Sequence, residues 1–468
     1  MSTLPASTDR AAAAPAGRAD RYPPQSAFIV GNEGCERFSF YGMRAILVVY
    51  MVKWLAMPEH EAKAAYHLFM MACYVTPLAG GWLADRFWGR YRVILWLSLG
   101  YVAGHATLAV WETRWGLAAG LGLIAIGSGG IKPCVSALLG DQFRPDQRRL
   151  LERVFALFYW MINLGSFSAK LVIPKLLAWS GPGLAFAVPG VLMAIALVVF
   201  WAGRRRYVMV PPSGPNPHSF LRVLWSAARG PAAAGVAWLD RARAAHPAQA
   251  VDGARAVLRV AGVFAATLAF WALFDQQGSS WILQAQRMDG TLPWGGKLEA
   301  SQIPALNPLL VLTGIPLIHK VIFPALERLG VRVTPLGRMT SGMFLATTSF
   351  AAAGLLEAAL DGGARLHVAW QLPQYLTITA AEILVSVTAL EFAYTQAPRS
   401  LKSTVMSVWF LTSALGNLLT ATVSHVNRFQ GPTFFWFFAA LMLGAAVLFA
   451  LVARAYRPVT SVVPAAGP

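Results

Sequence analysis

Four charged residues stand inside a stretch of chain that is apolar and long enough to cross a bilayer. The stretch is Asn32-Glu33-Gly34-Cys35-Glu36-Arg37-Phe38-Ser39-Phe40-Tyr41-Gly42-Met43-Arg44, preceded by Ser26-Ala27-Phe28-Ile29-Val30 and followed by Ala45-Ile46-Leu47-Val48-Val49-Tyr50-Met51-Val52. One charge at the centre of a membrane helix costs roughly 2.5–3.5 kcal/mol on insertion scales. Four on one helix therefore require partners on other helices, which restricts the chain to a bundle of spans packed around buried ion pairs.

The rest of the chain supplies those helices. Of 468 residues, 56% are hydrophobic and 13% charged, and the mean hydropathy is +0.52. That composition excludes a soluble multidomain protein and implies an all-α polytopic membrane protein. Apolar runs long enough to span lie near 26–52, 64–84, 92–111, 115–139, 154–178, 183–202, 258–284, 304–325, 338–359, 367–397, 402–425 and 432–453, or about twelve helices.

The net charge of +18 is not the footprint of a nucleic-acid binder, because the basic residues cluster in short loops between the apolar runs. Roughly 26 of the 39 Lys and Arg fall on one set of loops and both termini, and roughly seven on the other set. The rich side is predicted to be cytoplasmic, which puts both termini there and makes the number of spans even.

Residues 1–24, rich in Ala, Pro and Arg and without a long apolar core, read as a disordered cytoplasmic tail rather than a cleavable signal, and 458–468 as a second tail. A basic linker, 204–257, with one short amphipathic helix near 219–246, divides six helices (25–203) from six (258–457). Two such halves suggest a major-facilitator architecture with a site near mid-membrane between them. Cys35, Cys73 and Cys134 are odd in number and lack metal-site spacing, so they read as packing thiols.

Several motifs refine this outline. Gly80-Gly81-Trp82-Leu83-Ala84-Asp85-Arg86-Phe87-Trp88-Gly89-Arg90 allows close helix approach, and Asp85 with the arginines can form a charge latch. Its bland reading is an ordinary basic loop. Glu33, Glu36 and Arg37, at i, i+3 and i+4, share one helix face, with Arg44 two turns on. Gly127-Ser128-Gly129-Gly130-Ile131-Lys132-Pro133-Cys134 lacks the strand and spacing of a phosphate loop. It reads instead as small residues for helix contact around a buried Lys132, with Pro133 kinking the helix.

Asp275 lies in the seventh run, and Glu382 and Glu391 in the tenth. The buried acids Glu33, Glu36, Asp275, Glu382 and Glu391 outnumber the bases Arg37, Arg44 and Lys132 by two, and surplus buried carboxylates are seats for protons. Glu391 has the alternative of lying near an interface in water. His67 is a hydrogen-bonded structural residue or a proton carrier. His105 reads as structural. Tyr41, Tyr74, Tyr159, Asn163, Trp271, Asn307 and Trp409 are each packing residues taken singly; around one cavity they would suit a small zwitterion of variable side chain.

With these residues assembled, the chain resembles the proton-coupled oligopeptide transporter family of the major facilitator superfamily. The match is carried by Glu33-x-x-Glu36-Arg37-Phe38-Ser39-Phe40-Tyr41-Gly42, by Gly129-Gly130-Ile131-Lys132-Pro133 with Gly140-Asp141-Gln142-Phe143, by Phe158-Tyr159-x-x-Ile162-Asn163-x-Gly165-Ser166, and by Glu382 with Gln396-Ala397-Pro398. Cys134, Phe270-Trp271-Ala272-Leu273-Phe274-Asp275-Gln276-Gln277 and His67 upstream of Cys73-Tyr74 resemble the animal di-/tripeptide carriers in particular. Phe40 stands where the family usually has Tyr. The extra helix pair of many bacterial members is not evident, and Asp361-Gly362-Gly363-Ala364-Arg365 replaces the large extracellular domain of the animal carriers.

The resemblance implies a bacterial inner-membrane symporter, not an enzyme, that imports di- and tripeptides with protons by alternating access and needs no metal or cofactor. Arg44 and Lys132 would hold the peptide carboxylate and Glu382 its amino terminus. Asn163 and Asn307 would bind the peptide backbone or termini, and Tyr41, Tyr74, Trp271 and Trp409 would line side-chain pockets. Glu33, Glu36, Arg37 and Lys132 would form a proton-linked cluster, joined in coupling by His67 and Asp275. Arg44–Asp275 and Lys132–Glu382 would alternate as gates between the halves. One rival is the same fold carrying another anionic or zwitterionic solute, such as nitrate, an amino acid or a conjugated metabolite. The other is a membrane sensor or intramembrane enzyme, for which no nucleophile–base pair or metal spacing speaks.

Overall fold

The structure, a computed structural model, describes residues 22–231, 235–396 and 401–456. The 458–468 tail, most of the 1–24 tail, and Ala397, Pro398 and Arg399 lie outside the described residues.

The first half opens with α1 (Ser26–Lys53), which continues unbroken through all four charges. Pro58 ends the loop after it, and α2 (Glu59–Leu83) starts with Glu59 and Glu61 in its first turn, where acids meet the positive end of the helix dipole. After a π-helical turn, Ala84–Trp88, Gly89 at φ +75° redirects the chain into α3 (Arg90–Val110). α4 (Arg114–Asp141) is capped by Thr113, whose hydroxyl accepts from the Gly116 amide at 3.1 Å.

α5 (Arg148–Ala202) is 55 residues long and breaks at Gly181, φ +76°. Gly34 and Gly42 of α1 face Met161 and Ile173, whereas Ser39 bonds the Pro189 carbonyl and Tyr50 stacks edge-on with Phe186. The order of contacts reverses, so the chain runs back along α1 after Gly181 and α5 crosses twice.

The linker was expected to hold one helix over 219–246. Among the described residues of that stretch the α-helix is α6 (Phe220–Arg229), followed after Gly230-Pro231 by a short 3-10 stretch, Trp238–Ala244. Proline offers no amide to continue a helix, and glycine weakens it. The seventh span also begins earlier than expected, with α7 (Ala248–Ala265). It continues as α8 (Thr267–Phe274), the turn Asp275–Gly278 and α9 (Ser280–Gln286), bent by 49° after α7. The second half is completed by α10 (Leu306–Leu317) with α11 (Phe323–Arg328), α12 (Pro335–Asp361), α13 (Leu372–Glu382) with α14 (Thr388–Gln396), α15 (Lys402–Val426) and α16 (Pro432–Ala455).

Among the described residues, nine helices are long and apolar enough to cross a membrane, by length and composition. The second pass of α5 and the bent α7–α9 run raise nine to eleven, and α1, 28 residues long and carrying four charges within its apolar run, makes the twelfth. Two apolar cores form, one built on α1 to α5 with Ile282 and Leu283 of α9 packed into it, the other on α7 to α16. The halves meet chiefly where α2 packs on α15.

Small residues set part of this packing. A β-carbon on Gly80 would lie 2.3 Å from the Gly129 carbonyl oxygen, so α2 and α4 touch backbone to backbone. Gly80→Ala is expected to force the helices apart, at a cost of about 1–3 kcal/mol, and to lower the unfolding temperature in detergent; an unchanged temperature would show that the contact has slack. The charge latch at the α2–α3 turn forms differently from expectation. Arg90 pairs with Asp141 of α4, while Asp85 contributes its backbone carbonyl to the Ser213 amide at 2.9 Å. Asp85 lies in the π-helical turn at 84–88.

Candidate functional site

A cavity of about 240 Å³ lies between the halves. From the first half come Tyr41 and Arg44 of α1, Tyr74 of α2, and an α5 stripe, Tyr159, Asn163, Ser166 and Lys170, spaced i, i+4, i+7 and i+11 along one helix face. From the second come Trp271 and Phe274 of α8, Gln277 and Gly278 of the turn that follows, Asn307 of α10 and Glu382 of α13. Gly278 is required there: a β-carbon would sit 1.9 Å from the Tyr66 hydroxyl.

The cavity is closed toward the end of the bundle away from the linker. Arg44 donates from Nη2 to Asp275 Oδ1 at 2.6 Å and from Nε to the Tyr66 hydroxyl. Asn417 Nδ2 donates to the other Asp275 oxygen at 2.7 Å. That leaves Asn417 Oδ1 as an acceptor, so His67 Nδ1 donates to it at 2.8 Å and Nε2 accepts from the Ser279 hydroxyl, also at 2.8 Å. His67, Asp275 and Asn417 are wholly buried, and the network satisfies each of them. Further out, Lys170 Nζ donates to the Pro304 carbonyl at 3.3 Å and Gln302 Nε2 to the Leu171 carbonyl at 2.7 Å. Among the described residues, every hydrogen bond and ion pair joining the two halves lies on this side. On the linker side, Tyr159 lines the cavity and is 43% exposed.

Of the expected binding residues, Tyr41, Arg44, Tyr74, Asn163, Trp271, Asn307 and Glu382 line this cavity. Lys132 and Trp409 do not. The Lys132 ammonium rests over the Phe40 ring, 4.1 Å from its centroid, and 5.7 Å from that of Tyr74; the aromatic faces attract it away from the opening. Trp409 stands behind Trp271, edge to face at 5.4 Å, and supports it.

The expected Lys132–Glu382 pair is not made. Glu382 Oε2 instead accepts from Asn307 Nδ2 at 2.7 Å. The Arg37 guanidinium meets Glu33 at 2.6 Å and Glu36 at 3.3 Å, and Lys132 makes no ion pair with either acid. Phe40, packed on Tyr41 and under the Lys132 ammonium, offers a ring face where a tyrosine would add a hydroxyl.

The count of buried charges also changes. Glu391 is 51% exposed and pairs with Arg338 at 3.2 Å, which is its interfacial alternative. Glu357 of α12, 6% exposed and paired with Arg287, takes its place among the buried acids, and Lys170 raises three bases to four, so the surplus narrows from two carboxylates to one. Asn417, Ser279, Tyr66 and Lys170 escaped the sequence reading, and Ser166 stood in the Phe158–Ser166 motif with no role of its own. Asn417 and Lys170 carried a signal, a polar residue inside an apolar run, and Lys170 falls on the Asn163 face at i+7.

Residues 91–437 match the POT family. Peptide transporter 3 of Caenorhabditis elegans is 42% identical over 72% of this chain and 51% of its own length, and solute carrier family 15 member 2 of Homo sapiens is 40% identical over 72% and 49%. The chain thus spans about half the length of the curated relatives it matches. A crystal structure of an auto-inhibited POT family peptide transporter superposes with a TM-score of 0.89 at 42% identity, covering 95% of this chain and 99% of that one. Twelve crossings in two halves, with a mixed-charge cavity between them, define a multi-pass membrane protein of the major-facilitator kind. It belongs to the POT family of proton-dependent oligopeptide transporters.

Proposed function

We propose that the chain is a proton-coupled symporter that imports di- and tripeptides across the plasma membrane by alternating access. The observation that carries this reading is a cavity shared by both halves, with Arg44 on one wall and Glu382 on the other, and with all inter-half bonds among the described residues to one side of it. A peptide is a zwitterion. Its carboxylate takes Arg44, and its ammonium takes Glu382 beside Asn163 and Asn307. Tyr41, Tyr74 and Trp271 supply faces that accept many side chains. The names of the relatives, peptide transporters among them, support the cargo. So does a peptide transporter of the family, 26% identical, solved with alafosfalin.

With the linker and both termini in the cytoplasm, this conformation is shut to the outside. A proton on Asp275 weakens its hold on Arg44 and frees the guanidinium for the peptide carboxylate, so proton and peptide bias the same two-state element. Glu33 and Glu36 share the single guanidinium of Arg37, which leaves a second seat for a proton. His67, held between Asn417 and Ser279, ties the Asp275 network to α2. Each inward proton gains roughly 2.3 kcal/mol per 100 mV of membrane potential. No cofactor enters this scheme.

Labelled dipeptide should accumulate in proteoliposomes only under an inward proton gradient. Equal uptake with a protonophore present would end the scheme, and competition by free amino acids but not by dipeptides would move the cargo to another small zwitterion.

A further inference from the structure

Lys170 is a cation that the cavity does not need for a simple zwitterion. It stands on the α5 stripe one turn beyond Ser166, half-buried, toward the closed end. Its Nζ makes one long bond, 3.3 Å to the Pro304 carbonyl, and lies 5.2 Å from the Tyr41 ring centroid. Among the described residues it has no carboxylate within ion-pair distance, whereas Arg44, the other cation of the lining, is paired with Asp275. An ammonium with unused donors, facing a cavity in a membrane protein, is costly unless something that enters brings a negative charge.

We propose that Lys170 is a specificity-determining residue that seats an acidic side chain of the transported peptide. The inference rests on the peptide reading above. Once the peptide carboxylate has taken Arg44 from Asp275, the lining presents two positive charges, Arg44 and Lys170, and one negative, Glu382. A peptide with neutral side chains satisfies Arg44 and Glu382 and leaves Lys170 unmatched. A peptide carrying Asp or Glu brings a second carboxylate and satisfies all three. Such a close charge pair in a desolvated cavity discriminates strongly against a neutral isostere, because the isostere leaves the ammonium unpaired.

Affinities of Asp-Ala, Asn-Ala, Ala-Asp and Ala-Asn for the purified full-length protein test this. Asp and Asn differ in charge and scarcely in shape. The wild type is expected to bind at least one acidic peptide about tenfold tighter than its amide twin. Lys170→Gln should bring that ratio to within about twofold of one, Lys170→Arg should keep it, and Lys170→Glu should transfer the preference to Lys-Ala or Ala-Lys. No acidic preference in the wild type overturns the inference. So does a preference that survives Lys170→Gln, or equal weakening of all four peptides, which would place the backbone carboxylate on Lys170. If none of the four peptides binds the wild type, the peptide reading itself falls; if all bind equally, only this inference does.

Discussion

Asp275→Ala should release the closed end of the cavity. Arg44 and Asp275 are 13% and 0% exposed at their side chains, and their 2.6 Å bond joins α1 to the turn after α8, one half to the other. Removing one partner of a buried pair costs about 3–5 kcal/mol, because the remaining charge stays desolvated. The Tyr66 hydroxyl still accepts from Arg44, which moderates the loss, but Asn417 loses its acceptor and with it the fixed orientation that holds His67. The cost falls on the closed arrangement, since opening that end gives Arg44 back to water. A shift of about 3 kcal/mol changes a two-state ratio more than a hundredfold. Spin labels at Trp179 and Trp294, 79% and 80% exposed and in opposite halves at that end, should report a longer and broader distance distribution in the variant. An unaltered distribution would mean that the packing of α2 on α15, and not the ion pair, holds the end shut.

Glu382→Gln is expected to remove most of the affinity for neutral dipeptides while the fold persists. Glutamine keeps the shape and an acceptor for Asn307 Nδ2, now 2.7 Å from Oε2, so the helices lose little. The peptide ammonium loses its counter-charge inside a desolvated cavity, a truncation that costs about 2–5 kcal/mol, or roughly thirtyfold to several thousandfold in affinity. Ala-Ala binding to wild type and variant gives the main comparison. N-acetylated Ala-Ala supplies the control: without an ammonium it should bind both poorly and alike. Should Ala-Ala bind the variant as tightly as the wild type, the amino terminus is held elsewhere and the assignment of Glu382 fails.

Much of the site was legible because hydrocarbon is intolerant of charge. Arg44, Asp275 and Glu382 each break an apolar run, and each lines or closes the cavity. Lys132 breaks one as surely, yet its flexible ammonium lies on the Phe40 ring rather than in the opening. Trp409 was placed with the side-chain pockets by the family resemblance and found behind Trp271, since two helices decide which of two adjacent indoles faces the cavity. Glu391 illustrates the same gap: a run of apolar residues does not reveal how deep each one sits, and exposure and Arg338 place it near water.

The amino-acid order alone determined that there are about twelve crossings and that they need buried ion pairs, because length, hydropathy and charge act locally along the chain. Only the tertiary structure decided who pairs with whom. Asp275 is 231 residues from Arg44 and Asn417 is 350 from His67, and nothing in either neighbourhood names the other. Buried partners are chosen by which helix faces are brought within about 3 Å, and that is a property of the packed bundle.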